Sequence, residues 1–348
     1  MSHPEFRDIF KEVEAPAGAS AESVRRAFGA ILSGAWTPVQ VAGFAVALRL
    51  RGETAEQIGA AARALREAMV PLRHEHTVVL DTCGTGGDGL GTVNLSTGAA
   101  VLAAAAGVAV AKHGNRAVSS RAGSADVFEA LGVRIDTSVE QATRIFESEG
   151  LVFLMAPTHH PAMRHGGIAR RELGIRTLFN CLGPLANPAG ATHQLLGAYA
   201  DALRPVLAQT LRDLGTQRAW VVRGTDGMDE ISPYAPTNVT VLDAGVIQEQ
   251  QLTPEDFGFE TSPAGAAKGG DAQENAGILE TVLAGKPHPA RNAIAVNAAA
   301  ALCVALGLEP KAAGERVEAL LRSGAGAATL ARMRLASQAG GENRDPAR

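Results

Sequence analysis

A short β-branched run, Thr77-Val78-Val79-Leu80-Asp81, feeds straight into a loop with five glycines in the eight positions Gly84 to Gly91. An alanine-rich segment suited to a helix follows from about Ser96. Strand, open glycine loop, helix: few folds accommodate that order, and the pattern recurs. Val108-Ala109-Val110-Ala111 reads as a strand, Lys112–Ser124 as a second loop, and Ala125–Leu131 as its helix. Further strand-like runs at Leu151–Ala156, Ala219–Arg223 and Val239–Leu242 are separated by helical stretches such as Leu203–Leu214. Strands alternating with helices point to the α/β class with a largely parallel sheet.

The chain ahead of this region has a different character. Thr37-Pro38-Val39-Gln40 is a capping box with proline at the first helical position, opening a segment that stops before Gly52. Thr54-Ala55-Glu56-Gln57 repeats the pattern, and apolar residues recur at helical spacing to about Val70. The expected organisation is a helical domain over residues 1–72, joined by a helical segment near 162–180, an α/β domain over 73–338, and a polar, disordered tail at 339–348. Aromatics make up only 4% of the chain while glycine reaches 39 residues, so the core has to be built from small side chains at close approach.

Charge and cysteine content exclude several classes. A net charge of −4 argues against a protein that coats nucleic acid. Cys83, Cys181 and Cys303 are odd in number and lack metal-ligand spacing, as expected of reduced thiols in the cytoplasm. The N-terminal residues lack a signal-peptide hydrophobic region, and the apolar tracts fall short of the ~18–20 residues of a membrane span. A soluble cytoplasmic protein is the expectation.

Four motifs carry chemistry. In Asp81–Thr97 the glycines free backbone N–H groups to point at phosphate oxygens, and Asn94, Ser96 and Thr97 add donors where a helix begins. Its G-x-G-x-x-G spacing is weak support for a dinucleotide site, because the helix starts too late and the next acid is Asp126. In Lys112–Ser124, Lys112 offers a point charge, Arg116 and Arg121 forked donors, and Ser119, Ser120 and Ser124 hydroxyls. Two such loops at one sheet edge imply a substrate with phosphate at two places. Asp229-Glu230, in a loop after a strand, can converge on a hard cation such as Mg²⁺ that also takes substrate phosphates. His159, His160 and His165 lack the partners of a zinc set and read as capping or packing residues, while Arg170 or Arg171 could fork onto a carboxylate. Thr177–Pro188 reads as a structural turn.

At these residues the sequence resembles the anthranilate phosphoribosyltransferase family. The pattern GTGGDG…NxST stands at Gly84–Thr97, KHGNRAVSS at Lys112–Ser120, GSAD at Gly123–Asp126, RRELGIRT…FN…LGPL…NP through Pro188, and GGDAQENA at Gly269–Ala276. The resemblance implies a nucleoside phosphorylase/phosphoribosyltransferase-like fold, a small helical domain on a larger α/β domain, and a homodimer. It implies transfer of the phosphoribosyl group of phosphoribosyl pyrophosphate to anthranilate in tryptophan biosynthesis. Phosphoribosyl pyrophosphate would be held by Gly84, Gly87, Asp88, Thr92, Asn94, Leu95, Ser96, Thr97, Lys112, His113, Gly114, Asn115, Arg116, Ala117, Val118, Ser119, Ser120 and Ser124. Gly84, Asn115 and Arg170 would contact anthranilate, Ser96, Asp229 and Glu230 would hold Mg²⁺, and Lys112, Asn115 and Arg170 would be catalytic. Two departures stand out: Gly166-Gly167-Ile168-Ala169 replaces a bulkier, often proline-containing segment, and Arg121 replaces lysine. The competing readings are a pyrimidine nucleoside phosphorylase-like enzyme, a nicotinamide dehydrogenase, and a silent relative that binds nucleic acid. The acidic pair, the complete KHGNRAVSS loop and the negative charge weigh against them.

Overall fold

The computed structural model describes residues 4–86, 88–117 and 121–339. Gly87, Val118, Ser119, Ser120 and the tail beyond 339, all named above, lie outside the described residues. Four helices come first: α1 (Pro4–Glu14), α2 (Ala21–Leu32), α3 (Pro38–Arg51) and α4 (Ala55–Glu67). Both capping boxes form, with Thr37 and Gln40 starting α3 and Thr54 and Gln57 starting α4. Helix α4 ends at Glu67, ahead of the Val70 suggested by its pattern.

The chain then alternates through β1 (Leu80–Gly84), α5 (Leu95–Ala105), β2 (Val110–Gly114), α6 (Ser124–Ala130), α7 (Val139–Glu149) and β3 (Leu151–Met155). It continues with α8 (Ala156–His159), α9 (Arg164–Leu173), α10 (Phe179–Leu185), β4 (His193–Gly197), α11 (Leu203–Asp213) and β5 (Arg218–Gly224). Strands β6 (Thr237–Asp243) and β7 (Val246–Leu252) precede α12 (Ala272–Leu283), α13 (Arg291–Leu306), α14 (Pro310–Ser323) and α15 (Ala325–Gln338). The sheet order is β3-β2-β1-β4-β5-β6-β7, with the first five parallel and the last two added antiparallel. The chain winds outward from β1 through β2 to β3, then returns to β4 on the other side of β1. The strand order therefore reverses between β1 and β4, the place where open α/β sheets bind ligands.

Three details differ from the sequence expectations. Strands β1 and β2 run later than their apolar runs, so Lys112, His113 and Gly114 are strand residues paired with Phe153, Leu154 and Met155 of β3. Ladder hydrogen bonds in the middle of a sheet override the polar character of those side chains. The Thr177–Pro188 turn is in fact helix α10: the Asn180 side chain accepts from Thr177 N–H, Phe179, Leu182 and Leu185 bury one face, and Pro184 sits near its end. Strand β4 is also present, and β7 exists as a polar edge strand.

The main core packs the alanine-rich α5 and α13 against the sheet. A Cβ on Gly98 would come within 2.7 Å of Ile294 Cγ2, so these two helices meet through small residues where a larger core would use aromatics. A second core unites α2, α3 and α4 with α9, α10 and α11, so the helical region and the sheet share buried surface. No single helix among the described residues is long and apolar enough to cross a membrane.

Candidate active site

The glycines that end β1 and β4, Gly84 and Gly197, are paired neighbours in the sheet. The loop after β5 folds back over them. A Cβ on Gly197 would lie 1.6 Å from the Asp229 carbonyl oxygen, and one on Gly84 would lie 2.9 Å from Asp229 Oδ2. Gly197 excludes any side chain because the Asp229 backbone crosses the end of β4, while a Cβ on Gly84 would press against the Asp229 carboxylate. There Gly86 N–H donates to Asp229 Oδ2 at 3.0 Å. Thr85 anchors the same turn, donating its N–H to Gly197 O at 2.8 Å and accepting from Tyr199 N–H through its hydroxyl at 2.8 Å. Past this point Gly86, Gly89 and Gly91 take φ of 77°, 78° and 64°, which side-chain-bearing residues rarely adopt.

Carboxylates gather at this crossing. Burial, together with the charge and hydrogen bond of Asp88, holds Asp229 well above the ordinary carboxylate range. Burial and the charge of Asp229 do the same to Glu230, opposed by Lys112 and by a hydrogen bond from the Ser96 backbone. A bound cation would relieve two buried carboxylates that resist ionising together. Among the described residues no set of three His, Cys, Asp or Glu side chains is arranged to hold a metal alone. The donors fit a hard cation that completes its shell with substrate oxygens, which is the habit of Mg²⁺. Ser96 stands in the first turn of α5, and its carbonyl accepts from the Thr82 hydroxyl at 2.8 Å, which ties the helix start to β1. Leu95 and Thr97 are buried, so what they present to the loop side is backbone.

Lys112 is 2% exposed and donates from Nζ to Thr82 O at 2.6 Å. Its charge thus sits beneath the acids, between Glu230 and the buried Asp81, rather than out in the loop.

The described residues of the second loop are held largely from within. Asp126 accepts from Ala117 N–H at 2.8 Å and Gly123 N–H at 2.9 Å, and it pairs with Arg116 at 3.0 Å. Arg116 also pairs with Glu129 at 2.8 Å, so its fork is engaged with acids of α6. Burial pushes the Asp126 pKa up, but these hydrogen bonds outweigh it and hold the acid below its usual range. Asn115 is exposed at the loop mouth, its oxygen accepting from Arg116 N–H at 2.8 Å. A Cβ on Gly114 would meet Ser124 Oγ at 2.1 Å, so Ser124 lies directly against the end of β2. Thr92 pairs with Lys268 in an isolated β-bridge.

Beside β2, on the face opposite Lys112, stands an aromatic wall. His113 Nδ1 meets Gly183 O of α10 at 3.2 Å, and its ring lies 5.0 Å from that of His160. Burial, reinforced by the neighbouring rings, pulls His113 down to about 3 and His160 to about 4, so both are neutral at pH 7. Arg170 lies over the Phe179 ring at 5.7 Å. Burial lowers its pKa from the ordinary arginine value. A half-buried guanidinium stacked on an aromatic ring suits an anionic ligand.

Comparison with known proteins shows the family. Residues 16–69 match the helical bundle domain of a glycosyl transferase family, and residues 76–327 match its a/b domain. The anthranilate phosphoribosyltransferase of Moorella thermoacetica is 46% identical over 315 residues, covering 90% of this chain and 93% of that protein. That of Rhodopseudomonas palustris is 45% identical over 335 residues, covering 94% and 97%. The chain belongs to the anthranilate phosphoribosyltransferase family. Among solved structures of the family, the Thermus thermophilus enzyme superposes with a TM-score of 0.90 at 42% identity, covering 97% of this chain and 100% of that one. The Saccharomyces cerevisiae enzyme in complex with PRPP and Mg gives a TM-score of 0.89 at 30% identity, covering 97% and 99%.

Within this family fold, two residues that sequence reasoning passed over have clear duties. Gly197 clears the path of Asp229, and its only signal was a glycine closing the short run Gln194-Leu195-Leu196. Asp126 staples the second loop, and GSAD was visible without revealing which backbone groups its acid would hold.

Proposed function

We infer that this chain transfers the 5-phosphoribosyl group of phosphoribosyl pyrophosphate to the amine of anthranilate, releasing pyrophosphate, as a step of tryptophan biosynthesis. The observation that carries this reading is the crossing of Asp229 over Gly197 and Gly84. It sets raised-pKa acids opposite the start of α5, a combination made for a cation together with a diphosphate.

In this reading the open backbone from Gly84 to Thr92, with Asn94, Leu95, Ser96 and Thr97 at the helix start, receives one phosphate end. Gly114, Asn115 and Ser124 flank the other. Ser96, Asp229 and Glu230 would hold Mg²⁺, which when bound supplies positive charge to the departing pyrophosphate. Lys112 sets the electrostatic level of the acids from below. The acceptor lies against the neutral wall of His113 and His160, where a flat aromatic acid fits, and Arg170 takes its carboxylate. An aromatic amine is largely unprotonated at neutral pH, so the protein's contribution is orientation of the amine towards the ribose carbon rather than proton abstraction. Water excluded by the buried Phe179 and the histidine pair cannot compete for that carbon.

A homodimer through the helical region is part of this proposal. Val39 and Leu50 of α3 are each 81% exposed and lie three turns apart on one stripe. Ile168 of the adjoining α9 is 43% exposed. Two large apolar side chains left this bare on one helix mark an association surface. The decisive assay mixes the protein with phosphoribosyl pyrophosphate, Mg²⁺ and anthranilate and follows loss of anthranilate fluorescence. A Mg²⁺-dependent decay supports the reading. No decay, with phosphorolysis of a pyrimidine nucleoside instead, overturns it.

A further inference from the structure

The segment Gly269-Gly270-Asp271-Ala272-Gln273-Glu274-Asn275-Ala276 lies outside both phosphate loops, yet it is built against them. Gly269 N–H donates to Gly91 O at 2.9 Å, Val93 N–H to Ala267 O at 2.9 Å, and Thr92 bridges Lys268 between them. The two chains approach so closely that a Cβ on Gly269 would lie 2.6 Å from Val93 N and 2.7 Å from the Thr92 carbonyl carbon. Asp271 and Glu274 then form the capping box of α12, which turns Asn275 back towards the glycine loop.

Asn275 is 2% exposed and uses both ends of its amide. Oδ1 accepts from Gly270 N–H at 2.7 Å, and Nδ2 donates to Asn94 Oδ1 at 2.9 Å. Asn94 in turn donates from Nδ2 to Ala122 O of the second loop at 3.2 Å. Asn94 occupies the N-cap position of α5, but its side chain makes no capping bond, so this bridge is what its amide does instead. The orientation of the whole relay follows from its first member. A backbone N–H can bond only an acceptor, so the oxygen of Asn275 must face Gly270 and its nitrogen must face Asn94. That fixes the oxygen of Asn94 towards α12 and its nitrogen towards the second loop. Exposed Arg121 and Glu274, 3.6 Å apart, make a weaker link along the same line.

We propose that Asn275 is a positioning residue for phosphoribosyl pyrophosphate: it sets which way the Asn94 amide points and so holds the two phosphate loops in register across the start of α5. The proposal rests on the reading of Asn94 as a ligand of that substrate, and the test separates the two. Asn275→Ser is too short to reach Asn94. It is expected to raise KM for phosphoribosyl pyrophosphate about tenfold, with KM for anthranilate and kcat within about twofold, as loss of one buried hydrogen bond implies. Should the shorter side chain fail to fold, Asn275→Asp keeps the shape and the bond to Gly270 but offers Asn94 no hydrogen, and the same split is expected. In an Asn94→Ala background the second substitution should add nothing. Asn94→Ala raising KM while Asn275→Ser and Asn275→Asp leave it unchanged overturns the positioning role and spares the Asn94 assignment. An equal loss in both backgrounds overturns it too, because Asn275 would then act without Asn94. If Asn94→Ala itself leaves KM for phosphoribosyl pyrophosphate unchanged, the Asn94 reading fails and the proposal with it.

Discussion

The two loops that follow β1 and β2 resemble each other in sequence, both rich in glycine and polar donors, but the fold finishes them in opposite ways. The first is left incomplete. The acids that face it, Asp229 and Glu230, sit above their ordinary pKa because burial and the charge of neighbouring acids outweigh Lys112 and the backbone hydrogen bonds, and the start of α5 has no side-chain cap. The described residues of the second are tied down by the chain's own groups: Asp126 takes two backbone N–H groups and an arginine, and Arg116 spends its fork on Asp126 and Glu129. A loop waiting for ligand charge and a loop held ready by internal charge call for different substitutions to break them.

The largest effect is expected in the first loop. Asp229→Ala removes the acid that crosses to Gly86, and turnover should fall on the order of 10²–10³-fold with Mg²⁺ dependence weakened. A titration of rate against Mg²⁺ checks this, and wild-type rates with unchanged dependence would sink the cation reading. The second loop should respond to its staple more than to its charge. Asp126→Ala strands the N–H groups of Ala117 and Gly123 and should raise KM for phosphoribosyl pyrophosphate by about tenfold or more, whereas Arg116→Ala should change it by less than about threefold. Equal effects would mean that Arg116 serves the phosphates directly and that the two loops are not different in kind.

The buried histidine pair beside β2 gives a pH test. His113 and His160 titrate at about 3 and about 4 when folded, while in the unfolded chain both protonate near the ordinary value of about 6.5. The unfolded state thus binds more protons below that value. Stability present above about pH 6.5 should be lost as pH falls towards 4, by on the order of 1.4 kcal/mol per pH unit for each ring. Urea midpoints measured across this range check it, and His160→Gln should flatten the slope; an unchanged slope would remove His160 from the account.

The smallest effect concerns α9, which carries Arg170. A Cβ on Gly167 meets only Arg171 Nη1 at 3.6 Å, so Gly167→Ala fits without strain and should stabilise the protein by about 0.5–1 kcal/mol. A lowered melting temperature would show that the helix needs a glycine there. A change in KM for anthranilate would show that flexibility of this helix reaches Arg170.

Most of the architecture was legible because it rests on local rules. Capping boxes at Thr37 and Thr54, apolar strand runs and glycine loops between strand and helix each announce themselves within about a dozen residues. Elements that depend on distant neighbours were not legible. Strand β7 is polar because it lies at an edge, β4 is a short run, and α10 looks like a turn until its apolar face meets the helical region. In the site, the residue types at Gly84, Asn94, Asn115, Arg170, Asp229 and Glu230 could be picked out, but their availability could not. Lys112 was expected in a loop and belongs to a strand, where pairing with Phe153 turns its charge beneath the acids.

The sequence by itself determined the α/β class, the helical region before it, and a chemistry of glycine loops and acids suited to a diphosphate and a cation, since composition and spacing act over short range. The tertiary structure alone decided which donors are free. Whether Arg116 faces a phosphate or Glu129, whether Asp229 can reach Gly86, and which way the Asn94 amide points all depend on Glu129, Gly197 and Asn275. These groups come from separate parts of the chain, and only the folded sheet edge brings them within hydrogen-bonding distance of the loops.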